Sequence, residues 1–243
     1  MEFIFCCIER KIRQLKSLFY LSLIFLFAGC NKKEKQIKPI TKQQTTTIPA
    51  ALNYDSCKKE ILLLKQKNKA GWDKLTKKQK EKIFTAAVAQ TIMPNWIGTA
   101  WDYNGVSQTP QKESIACGYF VTTTLRDAGL NIARVKLAQC ASEQMIRSLI
   151  QLKYIQRFSN VPMVSFIQSI QQQGYGLYIV GLDNHTGFIY NDGKEIYFIH
   201  STFVGKKNVQ KEKAAVSVVL NQSKYKVIGK ISADEIILDK WIN

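Results

Sequence analysis

Apolar residues in the first part of the folded region recur at helical spacing. Thr76 followed by Gln79 forms a capping-box pattern, and Pro94 lies just beyond the apolar run that follows. Ser114 is a candidate N-cap and Gly129 a stop signal for a later helix. We therefore predict five helices in this part, over 56–67, 76–93, 115–129, about 142–152 and about 162–172.

The rest of the chain changes to segments rich in Tyr, Ile, Val and Phe, which predict strands. Asn191-Asp192-Gly193 separates two of them and is a strong hairpin-turn signal. Ser232, with Glu235 at the capping-box position, opens a helix at the end of the chain. The predicted strands cover 175–182, 185–191, 195–202, 214–221 and 225–231. Helices first and an antiparallel sheet second predict an α+β fold.

The N-terminal region carries a different pattern. A basic stretch at 10–16 precedes an apolar run at 17–29, which is too short for a comfortable membrane span and typical of a signal peptide. We predict a signal peptide over 1–29, a polar disordered tether over 30–53, and a folded domain over 54–243.

The apolar run ends in Leu26-Phe27-Ala28-Gly29-Cys30, and these small residues before a cysteine resemble a bacterial lipobox. The resemblance implies that Cys30 is lipidated and becomes the first residue of the mature protein. We then expect a lipid-anchored protein of the bacterial cell envelope, on a membrane and facing the periplasm or the exterior. An ordinary signal peptide and an uncleaved anchor are the alternatives, and both also take the chain out of the cytoplasm.

The chain is strongly basic, with 35 Lys and Arg against 18 Asp and Glu and a formal net charge of +17. Such a charge favours acidic partners: nucleic acid, anionic lipid or an anionic wall polymer. The excess is mostly scattered Lys, with no compact Arg-rich stripe interleaved with aromatic residues. We therefore expect a basic solvated surface and no nucleic-acid partner.

The cysteines divide between the predicted segments. Cys6 and Cys7 fall in the signal peptide, and Cys57, Cys117 and Cys140 fall in the folded domain. Three thiols in an oxidising compartment are an odd number. One arrangement is a Cys57–Cys140 disulfide with Cys117 free, but the sequence does not establish that pairing.

Three residues form a candidate catalytic set. His185 and His200 are the only histidines in the chain, and a turn at 191–193 places His185 opposite residue 199 or 200. Cys117 begins a predicted helix, whose dipole lowers the pKa of a thiol there. A neighbouring imidazole allows a thiolate–imidazolium pair that attacks a carbonyl, and a second polar group orients the imidazole.

These residues also have ordinary structural interpretations. Cys117 is then a buried core residue, and Asp183, a rival to His200 for orienting His185, is then a turn aspartate. Zinc sites favour clustered spacings that are absent here, so we expect neither a metal nor another cofactor. The chain also has no P-loop, no dinucleotide-binding glycine fingerprint and no Gly-x-Ser-x-Gly elbow.

The same segments resemble the NlpC/P60 cell-wall peptidases, a branch of the papain-like cysteine hydrolases. Four elements of that family have similar segments here. The family's Gly-rich turn is similar to "GTAWDYNG" (98–105), and its cysteine helix start is similar to "ACGYFV" (116–121). Its histidine strand is similar to "HTGFIYNDG" (185–193), and its second polar strand is similar to "YFIHS" (197–201). The resemblance covers about 98–202. It implies a cysteine-bearing helix packed on a small antiparallel sheet, with Cys117 as nucleophile, His185 as general base and acid, and His200 as the orienting residue.

The chain departs from the family at several auxiliary positions. Ala116 replaces the usual Asp before the nucleophile, and Gly118 replaces the Ser after it. The family's tyrosine, whose hydroxyl lies near the nucleophile, falls at Trp101, with Tyr103 as a candidate substitute. The resemblance implies that Trp101, Tyr103 and Gly118 help to bind substrate.

We therefore expect a secreted, lipid-anchored cysteine hydrolase that cleaves amide bonds in peptidoglycan stem peptides. The backbone N–H at the start of the cysteine helix would help to hold the oxyanion. One alternative is the same thiol chemistry on a small amide or a lipid acyl group, which the shape of the groove around Cys117 would indicate. The other is a degenerate module that binds wall peptides or a protein, which a wide separation of Cys117 and His185 would favour.

Overall fold

The computed structural model describes residues 54–243. The predicted signal peptide over 1–29, the tether over 30–53 and the lipidation site Cys30 lie outside the described residues. Within the described part, the predicted α+β class is confirmed: helices pack on an open antiparallel sheet of six strands.

The helices are α1 (Tyr54–Lys69), α2 (Lys77–Thr85), α3 (Met93–Trp96), α4 (Cys117–Asp127), α5 (Arg134–Ala138), α6 (Ser142–Leu149), α7 (Met163–Gln173), α8 (Val218–Gln222) and α9 (Glu235–Ile242). The strands are β1 (Ile155–Ser159), β2 (Gly176–Leu182), β3 (Thr186–Asn191), β4 (Ile196–Thr202), β5 (Asn208–Lys213) and β6 (Tyr225–Gly229). Their order in the sheet is β1-β6-β2-β3-β4-β5, and every neighbouring pair is antiparallel.

The second helix begins as predicted but continues further. Thr76 and Gln79 form both hydrogen bonds of the capping box. The chain then widens into a π-helical segment, Ala86–Ile92, and continues through Pro94 to the end of α3. The predicted end before Pro94 is wrong because this proline opens a new helical turn, where a missing N–H costs little.

The sheet edges differ most from the prediction. The edge strands β1 and β5 were not predicted, since their polar sequences, IQRFS and NVQKEK, lack an apolar pattern. The segment 214–221 is not a strand: it forms a 3₁₀ turn, Ala214–Val216, followed by α8. Ser217 caps α8 by accepting a hydrogen bond from the backbone N–H of Leu220.

Two apolar layers cover the sheet. Alternate residues of the fully buried strand β2 face opposite sides. Leu177 and Ile179 belong to the larger core, which the N-terminal helices, α4, α6 and α9 complete. Tyr178 and Val180 belong to a smaller core with Phe166 of α7. The sheet is therefore a buried central layer, which suits it to hold a site rigidly.

The cysteines of the described region are free thiols: Cys57, Cys117 and Cys140. The arrangement with a Cys57–Cys140 disulfide is therefore not formed, and the Cys57 sulfur lies 3.7 Å from Nδ2 of Asn95 instead. Between residues 54 and 243, no helix has the length and apolar character needed to cross a membrane.

Candidate functional site

Cys117 is the first residue of α4, and the chain before it is fixed by backbone hydrogen bonds. The N–H of Ala116 donates to the carbonyl oxygen of Gly105 at 2.8 Å. Ser201 of β4 donates its hydroxyl to the carbonyl of Ile115 at 2.6 Å, which ties the approach to the sheet. The N-cap is Ala116, not the predicted Ser114, so no side chain caps this helix start. Its free N–H groups therefore remain available around the thiol.

The start of α4 is packed closely on both sides. Phe120 contacts Phe188 of β3 edge to face, with ring centroids 5.8 Å apart. A Cβ atom at Gly118 would lie 2.3 Å from the carbonyl oxygen of Ala138, so only glycine fits there. Gly118 thus lets the end of α5 approach the nucleophile position.

The hairpin that carries the histidines has a different register from the prediction. Tyr190 pairs with Tyr197 and Asn191 with Ile196, so the loop is longer than the turn at 191–193. The Asp192 carboxylate accepts hydrogen bonds from two backbone N–H groups of this loop, which stabilises the longer form. His185 lies just before β3 rather than on it.

The two histidines are nevertheless in direct contact, as predicted. Nε2 of His185 and Nδ1 of His200 are 2.8 Å apart, and both rings are buried. Phe198 stacks on the His200 ring with centroids 3.9 Å apart, which fixes its orientation. Gly187 lets His200 approach, since a Cβ there would lie 2.8 Å from the His200 Cβ.

A carboxylate that was not predicted extends this contact. Oε1 of Glu212, on β5, lies 3.2 Å from Nε2 of His200. Ser217 donates its hydroxyl to the same oxygen at 2.6 Å. The sequence gives little sign of Glu212, because β5 is polar and its pairing with β4 is not visible in the pattern.

This chain of hydrogen bonds sets the tautomers. The Glu212 carboxylate only accepts, so His200 donates Nε2–H to it and keeps Nδ1 as an acceptor. His185 then donates its Nε2–H to His200. The remaining nitrogen of His185, Nδ1, therefore carries a lone pair and can take a proton.

The electrostatics favour a neutral pair in the resting protein. Burial raises the pKa of the Cys117 thiol, although the backbone N–H groups of Thr186, Gly118 and Cys117 itself act in the opposite direction. Burial and the neighbouring His200 lower the pKa of His185 to about 3. The expected lowering of the Cys117 pKa by the helix start is therefore wrong, since burial outweighs it.

Cys117 and His185 line one cavity of about 760 Å³. Trp101 and Tyr103 line it too, and Tyr103 is 81 % exposed at its rim. The ring of Trp101 lies 5.5 Å from that of Phe203, a lining residue that was not predicted. Further unpredicted lining residues are Asn104, Val106, Tyr119, Gln139 and Asn184.

The Asp183 carboxylate is not a hydrogen-bond partner of the His185 ring. The carboxylate accepts hydrogen bonds from the backbone N–H groups of Lys224 and Tyr225, which fixes the loop before β6. His200 is the hydrogen-bond partner of His185, and Asp183 has the place of a turn aspartate.

Other parts of the described region offer less chemistry. A larger hollow of about 1060 Å³ lies beside α9, but its lining contains neither a thiol nor an imidazole. Across residues 54–243, no group of three or more His, Cys, Asp or Glu side chains is placed to hold a metal ion.

Comparison with known proteins gives no significant match of this chain to a family model, to a curated protein or to a solved structure. The chemistry of the site therefore has to be inferred from its atoms. These are a thiol at a helix start, an imidazole held by a second imidazole and a carboxylate, and a cavity that both groups line.

Proposed function

We propose that this protein is a thiol-dependent amide hydrolase with Cys117 as nucleophile. The observation that carries this proposal is the relay of His185, His200 and Glu212 beside the Cys117 cavity. A thiol buried for packing alone needs no imidazole with a fixed tautomer beside it. The backbone N–H of Thr186 contacts the Cys117 sulfur, and Thr186 follows His185 directly, which supports attack assisted by that histidine.

In the first step, Nδ1 of His185 takes the proton of the Cys117 thiol while the sulfur attacks the amide carbonyl carbon. The tetrahedral oxyanion receives hydrogen bonds from the free N–H groups at the start of α4. The C–N bond then breaks, and His185 returns the proton to the leaving amine. The products are a thioester on Cys117 and a free amine.

In the second step, His185 takes a proton from water, and the resulting hydroxide attacks the thioester carbonyl. The C–S bond breaks, the proton returns to Cys117, and a carboxylic acid leaves. Glu212 stabilises the positive charge that forms on the histidines in both steps, because it lies 3.2 Å from His200.

The order of elements is consistent with a papain-like architecture, in which the cysteine helix packs on an antiparallel sheet that carries the histidine. Here α4 packs on β3 through Phe120 and Phe188. We propose membership of the NlpC/P60 type on this arrangement and on the sequence resemblance over 98–202. Lipid anchoring through Cys30 at the cell envelope belongs to the same proposal.

The proposed substrate is the peptide stem of peptidoglycan. A second hollow of about 180 Å³ adjoins the Cys117 cavity and shares Asn184, His185 and Phe203 with it. Two hollows with a shared lining suit an extended peptide better than a single acyl chain. The net charge of +17 suits an anionic wall polymer.

The test is digestion of purified peptidoglycan by the full-length protein, with mass spectrometry of the released fragments. We expect peptide fragments with new termini, and none with Cys117→Ala. Thioester formation on Cys117 without wall cleavage would favour the alternative of an amidase or acyltransferase for another substrate. Binding of wall peptides without a thioester would favour the degenerate module.

A further inference from the structure

The cavity around Cys117 has an unusual lining for a protein of this charge. Among the described residues that line it there is no Lys, Arg, Asp or Glu, although the chain has 35 basic and 18 acidic residues. The lining combines aromatic rings with three amide side chains, Asn104, Gln139 and Asn184.

Three charged side chains close to this lining are engaged outside the cavity: Arg134, Asp102 and Asp183. Asp183 lines only the smaller adjoining hollow, where its carboxylate accepts hydrogen bonds from the backbone N–H groups of Lys224 and Tyr225. The Arg134 guanidinium lies 4.7 Å from the ring centre of Tyr119 and donates to the carbonyl oxygens of Val106 and Ser107. Asp102 accepts a hydrogen bond from the backbone N–H of Asn104. None of the three side chains lines the 760 Å³ cavity, so none supplies a counter-ion to a ligand bound beside Cys117.

The polar groups of the lining suit uncharged ligand groups. Asn and Gln side chains donate and accept hydrogen bonds, as a peptide or carboxamide requires. Nε2 of Gln139 already donates to the Tyr119 hydroxyl, which leaves its oxygen as an acceptor for a ligand N–H. A carboxylate or ammonium bound here would lose water without gaining a partner of opposite charge.

We infer that the substrate segment bound beside Cys117 is uncharged, a peptide with carboxamide, aliphatic or aromatic side chains next to the scissile bond. This inference rests on the proposed function and narrows its substrate class. For a peptidoglycan stem, it selects the form whose D-glutamyl α-carboxylate is amidated over the form in which that carboxylate is free.

The test uses four chloromethyl ketones that differ only in side chain, N-acetyl-Gln, -Leu, -Glu and -Lys, with full-length protein. The alkylation rate of Cys117 is followed by intact mass, with N-acetylcysteine as the reference thiol. We expect the Gln and Leu probes to react at least about tenfold faster than the Glu and Lys probes, relative to the reference. Equal relative rates would overturn the inference. A faster reaction of the Glu probe would also overturn it, because that result is expected if the basic surface of the whole protein determines which probe reacts faster.

A matched pair of variants tests whether the uncharged lining of the cavity causes this selectivity. Val106→Lys adds a cation at the cavity rim, where Val106 is 50 % exposed. Val164→Lys makes the same change on α7, away from the cavity, where Val164 is 63 % exposed. We expect only Val106→Lys to accelerate the Glu probe. Equal effects of both variants would contradict a local origin of the selectivity.

A binding measurement separates this inference from the proposed function. Stem peptides with an amidated or a free D-glutamyl carboxylate are titrated calorimetrically into Cys117→Ala. Tighter binding of the amidated peptide supports the inference even if the wild type hydrolyses neither peptide, a result that would overturn only the hydrolase proposal. Equal affinity, tighter binding of the free acid, or binding of neither peptide overturns the inference, whatever the wild type cleaves.

Discussion

Nε2 of His185 and Nδ1 of His200 are 2.8 Å apart, although the β3–β4 pairing that carries them ends at Phe188 and Ile199. The side chains meet just beyond that last pair, where a Cβ at Gly187 would lie 2.8 Å from the Cβ of His200. Thr186 is not paired with β4, and its N–H contacts the Cys117 sulfur. The end of this hairpin therefore brings together a thiol, two imidazoles and, through β5, the Glu212 carboxylate.

Glu212 is expected to act as a positioning residue through His200. In Glu212→Ala, the His200 tautomer is no longer fixed, and kcat should fall about 10- to 100-fold with KM nearly unchanged. Glu212→Gln keeps an oxygen that accepts from His200 but lacks the negative charge, so it should recover only part of that loss. The measurement is steady-state hydrolysis of a peptide amide.

The control for Glu212 is Glu195→Gln, which removes the exposed ion pair of Glu195 with Lys213 on the same sheet. Glu195→Gln should leave kcat unchanged, since an exposed ion pair of this kind contributes little to stability. A purely structural role for Glu212 would lower the stability of both Glu212 variants without a specific loss of kcat.

Gly118 is expected to be essential for packing at the nucleophile. In Gly118→Ala, the new Cβ would meet the Ala138 carbonyl, and the free energy of unfolding should fall by about 1–3 kcal/mol. The matched control is Gly71→Ala, because a Cβ at Gly71 meets nothing within 4 Å. Urea denaturation of both variants tests this, and equal stabilities would contradict the close packing.

Local patterns were sufficient for much of the fold. The capping box at Thr76 and the apolar strands β2, β3 and β4 were predicted because their signals lie within each segment. The polar edge strand β5 was missed because it depends on pairing with β4. The segment 214–221 was misassigned because its β-branched residues favour a strand, whereas the Ser217 cap and the burial of Leu220 favour a helix.

The prediction of the candidate site was limited in the same way, because parts of the site depend on contacts between distant segments. Contact between His185 and His200 was predicted from a hairpin signal, but with the wrong register, because the Asp192 side chain stabilises a longer loop. Glu212 was not predicted at all, since only the sheet brings β5 to His200. The pKa of Cys117 was predicted in the wrong direction because burial is a tertiary property.

His185 should make the fold sensitive to acid. Its pKa is about 3 in the folded protein and near the ordinary 6.5 when unfolded, so below 6.5 the unfolded chain binds more protons. The free energy of unfolding therefore decreases as the pH is lowered through this window. His185 alone accounts for a decrease of roughly 3 kcal/mol between about pH 7 and about pH 4. His185→Gln should lose that part of the pH dependence in urea titrations at both values. An unchanged dependence would contradict the low pKa.

The Cys117 thiol should remain protonated at neutral pH. Because burial raises its pKa above the ordinary 9.0, the difference in thiolate ultraviolet absorbance between wild type and Cys117→Ala should stay flat through neutral pH. The signal should rise only in the alkaline range. A step below neutrality would instead indicate a resting thiolate–imidazolium pair.

The most direct test of the central claim is acylation of Cys117 by p-nitrophenyl acetate at about pH 6, a pH at which a free thiol with its ordinary pKa is hardly ionised. The thioester is followed by intact mass in wild type, His185→Gln and Cys117→Ala. We expect rapid acetylation of wild type, a loss of about 100-fold or more in His185→Gln, and no thioester in Cys117→Ala. Equal slow rates in wild type and His185→Gln would show that His185 does not activate Cys117 and would contradict the account.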